Sequence, residues 1–265
     1  MVTVQDVYAY LNQLAPVSYQ MDFDNSGFLV GDRTAEVNKV LLTLDITDAV
    51  IEEAAKLGAE LIVSHHPLLF HPLKHVWAED VIGRKVIALS RHGMAAICMH
   101  TNLDIVDGGV NDALMAKLDA KVTGLLEPAG TDEYGDPLGC GRVGDLKSEM
   151  PLPDFLAFAA KRLKVSGIRY CDGGRPVKHL AVCGGSGGSM LELAYEKGCD
   201  TLLTADVKYD RFLAAKDLGM NLIDADHFCT ENVVIPVLQE KLSDAFPNVE
   251  FRISSLQQTA QFYTP

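Results

Sequence analysis

Two adjacent histidines, His65 and His66, lie in the run LIVSHHPLLF at residues 61 to 70, and imidazoles in that setting suit proton transfer or metal ligation. The apolar residues before them predict a buried strand that stops at Ser64 and turns into a loop at Pro67. Strand ends of this kind carry the ligand sites of doubly wound α/β sheets. Adjacent strand side chains point to opposite faces. The pair therefore shares one target only if the backbone turns there, and otherwise serves two, as in a two-metal site. Loop histidines bonded to backbone are the structural alternative.

The same chemistry recurs twice more. His100 ends the run MAAICMH with Asp104 four residues on, and His227 ends NLIDADH with Glu231 four residues on. A helix starting at His227 would put His227 and Glu231 on one face, whereas TNLD after His100 is expected to be an irregular loop. Taken singly, a His-x3-Glu pair suits a plain surface contact and Asp104 could simply order its loop. Their joint placement at three successive strand ends points to metal. Imidazole and carboxylate donors without cysteine favour zinc, manganese, iron, cobalt or nickel. Two carboxylates and three or four histidines exceed the needs of one ion with open positions and suit two ions about 3.5–4 Å apart.

The elements that must position these residues are legible in the hydrophobic pattern. Val4, Val7, Tyr8, Leu11 and Leu14 fall at helical spacing, and Pro16 ends that helix. The turn Asp24–Gly27 hands over to a short strand, Phe28–Val30. From Val40 the order is strand, helix closed by Gly58, and strand, which means a right-handed βαβ unit with a parallel pair. A helix over residues 79–91 and the strand ending at His100 follow. Residues 127–137, EPAGTDEYGDP, have the richest turn composition in the chain and are expected to be a crossing into a second domain. Beyond it, Leu180–Asp206 can be laid without a gap on Val40–His66, with Gly198 under Gly58. Gly219 onward matches Gly93 onward with the histidines one residue apart in register. The expected fold class is therefore α/β, with two related α/β domains.

The 265 residues are 48% apolar, enough for a substantial core. The N-terminus has no basic leader, and no segment reaches the roughly 18 uninterrupted apolar residues of a membrane helix. A cytoplasmic protein is expected. The six cysteines show no C-x-x-C pair and are expected to be buried free thiols. A formal charge of −13 disfavours a duplex-binding surface, which needs a basic face. It leaves room for a phosphorylated small molecule held by metal ions or a helix N-terminus.

The motifs DNSGFLVGD at residues 24–32, SHHPLLF at 64–70, HTNLDIVDGGVND at 100–112, GCGRVGDL at 139–146 and DADHFCTE at 224–231 span nearly the whole chain. In these the chain resembles the NIF-three-like proteins, also described as dinuclear metal centre hexameric proteins and type 2 GTP cyclohydrolase I homologues. The resemblance implies that His65, His66, Asp104, His227 and Glu231 are the metal ligands of two divalent ions. It makes His100 a further ligand, a support for one, or a proton carrier beside the metals. It also implies mixed or parallel sheets flanked by helices, with the second domain inserted into the first, dividing the chain as 1–126, 127–223 and 224–265. A toroidal homo-hexamer with its metal sites facing a central cavity is implied as well. The sequence departs from the family pattern at Asp226 and Ala205, where glycine is usual, so substrate preference is open.

For the reaction, the resemblance implies opening of the imidazole ring of GTP with loss of formate, metal-activated water attacking the carbon between the ring nitrogens. The turn GGSGG at 184–188, between a strand and a helix, is a candidate triphosphate cradle. It lacks a P-loop lysine, and its small residues equally suit close strand-to-helix packing. Two other functions fit the same ligands: a dinuclear phosphatase or phosphodiesterase, and a non-catalytic hexameric metal-binding regulatory or scaffold protein.

Overall fold

The computed structural model describes residues 1–256 and residue 260. In chain order the elements are α1 (Val4–Leu14), β1 (Gly27–Val30), β2 (Lys39–Thr43), α2 (Asp48–Leu57), β3 (Leu61–Ser64), α3 (Val81–Arg91), β4 (Ala95–Cys98) and α4 (Thr101–Ile105). There follow α5 (Val110–Lys117), β5 (Ala120–Thr131), β6 (Pro137–Met150), α6 (Leu152–Leu163), β7 (Arg169–Cys171) and β8 (Val177–Val182). The last are α7 (Leu191–Glu196), β9 (Thr201–Thr204), α8 (Tyr209–Leu218), β10 (Asn221–Asp224), α9 (His227–Glu231), α10 (Val234–Ala245) and β11 (Glu250–Ile253).

The chain forms two compact units, one holding Met1–Leu103 and the stretch from Ile235, the other holding Asp104–Val234. In the first, the sheet order is β1-β4-β3-β2-β11, with β1 antiparallel at the edge and the other strands parallel. The first helix begins at a Thr3/Asp6 capping box and buries Val4, Val7 and Leu11, the face expected from their spacing. Helix α2 is capped by Thr47 and ends at Gly58 in the left-handed region (φ 67°), where glycine carries no Cβ penalty. Its apolar face, with Val50, Ile51 and Ala54, packs with Leu41, Ile62, Leu89 and Met94 into one core. Interior burial of this kind stabilises by roughly 1.5–3 kcal/mol per large aliphatic side chain.

In the second unit the order is β5-β6-β8-β9-β10-β7. Strands β8, β9 and β10 are parallel, and β7 is antiparallel beside β10. The quartet β7-β10-β9-β8 thus repeats the order and directions of β1-β4-β3-β2. Gly198 (φ 78°) repeats the left-handed stop of Gly58. The duplication expected from Leu180–Asp206 is present as topology. On the covered face of this sheet Ala181, Leu202 and Leu222 supply the core, packed with Leu191, Ala194 and Ala215 from the helices.

Residues 127–137 are not a crossing. They belong to the long β5–β6 hairpin, paired from Ala120↔Leu146 to Thr131↔Pro137. Turn-forming residues are there because Asp132 accepts the Tyr134 and Asp136 amides at the tip. The compact units divide at Leu103/Asp104 and Val234/Ile235 rather than at 126/127 and 223/224. Residues 101–105 are a helical turn, not the irregular loop expected of TNLD. All six cysteines are buried free thiols. No helix among the described residues is long and apolar enough to cross a membrane.

Candidate metal centre

The first unit gathers three imidazoles at the ends of β3 and β4. Parallel pairing continues past Ser64, with the His65 and His66 amides donating to the Thr43 and Leu44 carbonyls. The Ser64 hydroxyl then donates to the His66 carbonyl at 2.7 Å, closing a turn. That turn is why the two side chains do not diverge as they would on a continuing strand. Their ring centroids lie 5.1 Å apart, and that of His100 lies 5.3 and 5.5 Å from them. One donor atom from each of His65, His66 and His100 lies within 4.8 Å of the others, close enough for one ion to be shared.

Each ring is held at Nδ1. His65, fully buried, donates to the Met99 carbonyl at 2.7 Å, His66 to Asp45 at 2.8 Å, and His100 to Asp24 at 2.7 Å. A carbonyl or carboxylate acceptor fixes the hydrogen on Nδ1 and puts the lone pair on Nε2, the arrangement of metal-ligating histidines. Asp24 is the most heavily engaged of these acceptors. It also accepts from Ser26, from the Thr101 amide and from the Thr101 hydroxyl. Burial opposes its charge, but the His100 and Thr101 hydrogen bonds outweigh that and hold its carboxyl well below the usual range.

The second unit carries Asp104, His227 and Glu231. His227 opens α9, so the i, i+4 spacing does put Glu231 beside it, with Nε2 and Oε2 2.9 Å apart. Its Nδ1 meets Asp206, at the end of β9, at 2.7 Å. Burial lowers its pKa, yet the hydrogen bonds and charges of Glu231 and Asp206 raise it to about 9. Asp226 precedes it at φ 69°, ψ 134°, a region that L-residues avoid, and caps α9 through the Cys229 amide at 3.0 Å. Glycine there would carry no such strain, whereas Ala205 is simply buried.

The glycine turn is a wall for Glu231, not a phosphate cradle. The amides of Gly184, Gly185 and Gly187 already donate to Asn111, Thr230 and Thr204. A Cβ on Gly185, at φ +64°, would lie 2.1 Å from Glu231 Oε1. Asn111 also donates to the Asp104 carbonyl at 3.0 Å, so one amide side chain ties the Asp104 turn to the turn beneath Glu231. The fully buried Arg142 holds the segment between them, donating to the Val106 carbonyl at 2.9 Å and pairing with Asp112 at 2.9 Å.

The Duf34/NIF3 (NGG1p interacting factor 3) family model matches residues 2–260. The chain belongs to this family. A Clostridium perfringens protein named GTP cyclohydrolase 1 type 2 homolog is 34% identical over 95% of both chains. A Streptomyces coelicolor protein of the same name is 36% identical over 87% of this chain and 82% of its own. A solved Staphylococcus aureus protein superimposes with a TM-score of 0.92 at 28% identity, covering 99% of each chain. A Bacillus cereus protein related to NIF3 reaches 0.93 at 24% identity, a likeness of fold, over 100% of this chain and 99% of its own. The α/β architecture with two helix-flanked sheets is thus that of the NIF3 proteins.

The histidine and glutamate groups of this NIF3 protein could hold metal: their donors are chemically suited, their rings are pre-oriented, and Gly185 leaves room against Glu231. Sequence reasoning missed the residues that do the orienting. Asp45 and Asp206 end the runs LLTLD and LLTAD, so an acid closing a buried strand in each half was the signal available, although the strands, β2 and β9, are not equivalent ones. Asp24 was visible only as a turn residue.

Proposed function

We propose that the chain is a dinuclear metal-dependent hydrolase of the type 2 GTP cyclohydrolase I kind, acting on a small molecule, with GTP the first candidate. The metal ligands in this reading are His65, His66, Asp104, His227 and Glu231. The observation that carries it is the common support of four histidines, each ring held at Nδ1 by a carbonyl or carboxylate, so that Nε2 is the nitrogen that would ligate once the ring is deprotonated. His179 with Asp145 has the same bond, but it is exposed and belongs to no donor cluster among the described residues, so clustering is what separates site from surface.

Bound divalent ions would supply Lewis acidity and a hydroxide at neutral pH. The protein's own residues do the rest. Asp45, Asp206 and the Met99 carbonyl hold three rings oriented for binding. His100, backed by the buried Asp24, is built as a proton carrier: the carboxylate fixes its tautomer and faces the imidazolium that forms when the ring takes up a proton. The family resemblance supports a homo-hexamer, and a cytoplasmic location is part of the same proposal.

The test is turnover by metal-loaded protein offered GTP and a panel of phosphate esters, following formate and phosphate. Formate release from GTP that is lost in His66→Ala supports the proposal. Phosphate release in its place would indicate a phosphatase or phosphodiesterase, and silence across the panel a metal-binding scaffold.

A further inference from the structure

The network that fixes His100 also fixes two exposed phenylalanines. Phe23 directly precedes Asp24, and Phe70 lies in the loop that follows His66. They are the two most exposed phenylalanines among the described residues, at 62% and 38%. Their ring centroids lie 6.3 Å apart with planes inclined at 51°, so neither ring covers the other face to face. Phe70 stands edge-on to His100 at 6.2 Å.

Polar bonds fasten the backbone beside both rings. Asp24 is anchored by His100, Ser26 and Thr101, and the Met21 amide donates to Thr101. Asn25 Nδ2 donates to the Leu69 carbonyl, pinning one loop to the other, while Leu68 is buried in the core. Exposed tyrosines elsewhere, such as Tyr134 at the hairpin tip, carry a hydroxyl that water satisfies. Phenylalanine has no such group. Adjacent apolar rings held in water on loops fastened by polar bonds, beside a cluster of imidazoles, mark a place where a ligand covers them.

We propose that Phe23 and Phe70 form a stacking platform for a planar heteroaromatic ring of the substrate, holding that ring beside His100. A flat π-surface gains offset or edge contacts with both rings at their observed separation, and a nitrogen-bearing edge suits imidazole neighbours. This rests on the reading of His65, His66 and His100 as part of the reactive centre. It assigns substrate selection to two residues that ligate nothing.

The experiment is equilibrium calorimetry on the full metal-loaded chain, with GTP and with ribose 5-triphosphate, which has the phosphates and no base. Wild type is compared with Phe23→Leu, Phe70→Leu and the double variant, with metal content and thermal denaturation checked on each. The expected result is at least tenfold tighter binding of GTP than of the base-free triphosphate. That preference should fall by about tenfold in the double variant, with metal content unchanged. A wild type that binds both alike, or neither, overturns the platform, as does a double variant that keeps the full preference. Formate measured on the same samples separates the two proposals. A base preference lost in the leucine variants without any formate release removes the cyclohydrolase reading and leaves the platform. Formate release with an unaltered preference does the reverse.

Discussion

At the scale of single residues, orientation carries more of the account than identity. His66 is a ligand candidate from its position alone, but Asp45 decides where its ring points. Asp45→Asn is therefore expected to weaken metal binding by about 10- to 100-fold while barely changing thermal stability, since Asp45 is half exposed. Metal titration followed by calorimetry, beside a melting curve, checks both halves. Gly185 makes the complementary point: an alanine Cβ there must push the Glu231 carboxylate aside. Gly185→Ala should lower metal affinity by about tenfold or more in the same titration. Asp226 is a strained residue whose cap is replaceable, so Asp226→Gly should raise stability by up to about 1 kcal/mol in denaturant unfolding. The candidate residues themselves were visible in the sequence because histidines recur at the ends of its apolar runs. Their supports were not, because an aspartate in a turn looks the same whether or not a histidine leans on it.

At the scale of elements, hydrophobic period predicted α1 to the residue and the two βαβ units to within a few residues. The misses have specific causes. Residues 127–137 looked like a linker because a long hairpin with a polar tip and a linker share a composition; what distinguishes them is pairing between distant residues, such as Glu127 with Cys140. The glycine turn looked like an anion site because the partners of its amides, Asn111, Thr230 and Thr204, are remote in sequence. Arg142 belongs to the same class of hidden contact. It fastens β6 to the segment between α4 and α5 and is surrounded by the carbonyls of Val106, Gly139 and Gly141 as well as by Asp112. Arg142→Met should destabilise the protein by about 3 kcal/mol in denaturant unfolding, since it leaves buried acceptors and a carboxylate without their cation. A loss within a few tenths of a kcal/mol would mean that water replaces the guanidinium there.

At the scale of the whole molecule, the repeated strand quartet explains why donors appear in both units. In each, residues follow the carboxyl ends of the middle two strands, so the repeated topology also repeats the place where a ligand could sit. The two units fill that place differently, with His66 facing Asp45 in one and Asp206 facing His227 in the other. Light scattering should give a mass of six chains if the hexamer of the family reading holds. The central claim, a pair of ions per chain, is tested most directly by elemental analysis of the full protein after metal loading and removal of excess metal. The account predicts two equivalents per chain, with fewer in His66→Ala. One equivalent or less in the wild type would contradict it.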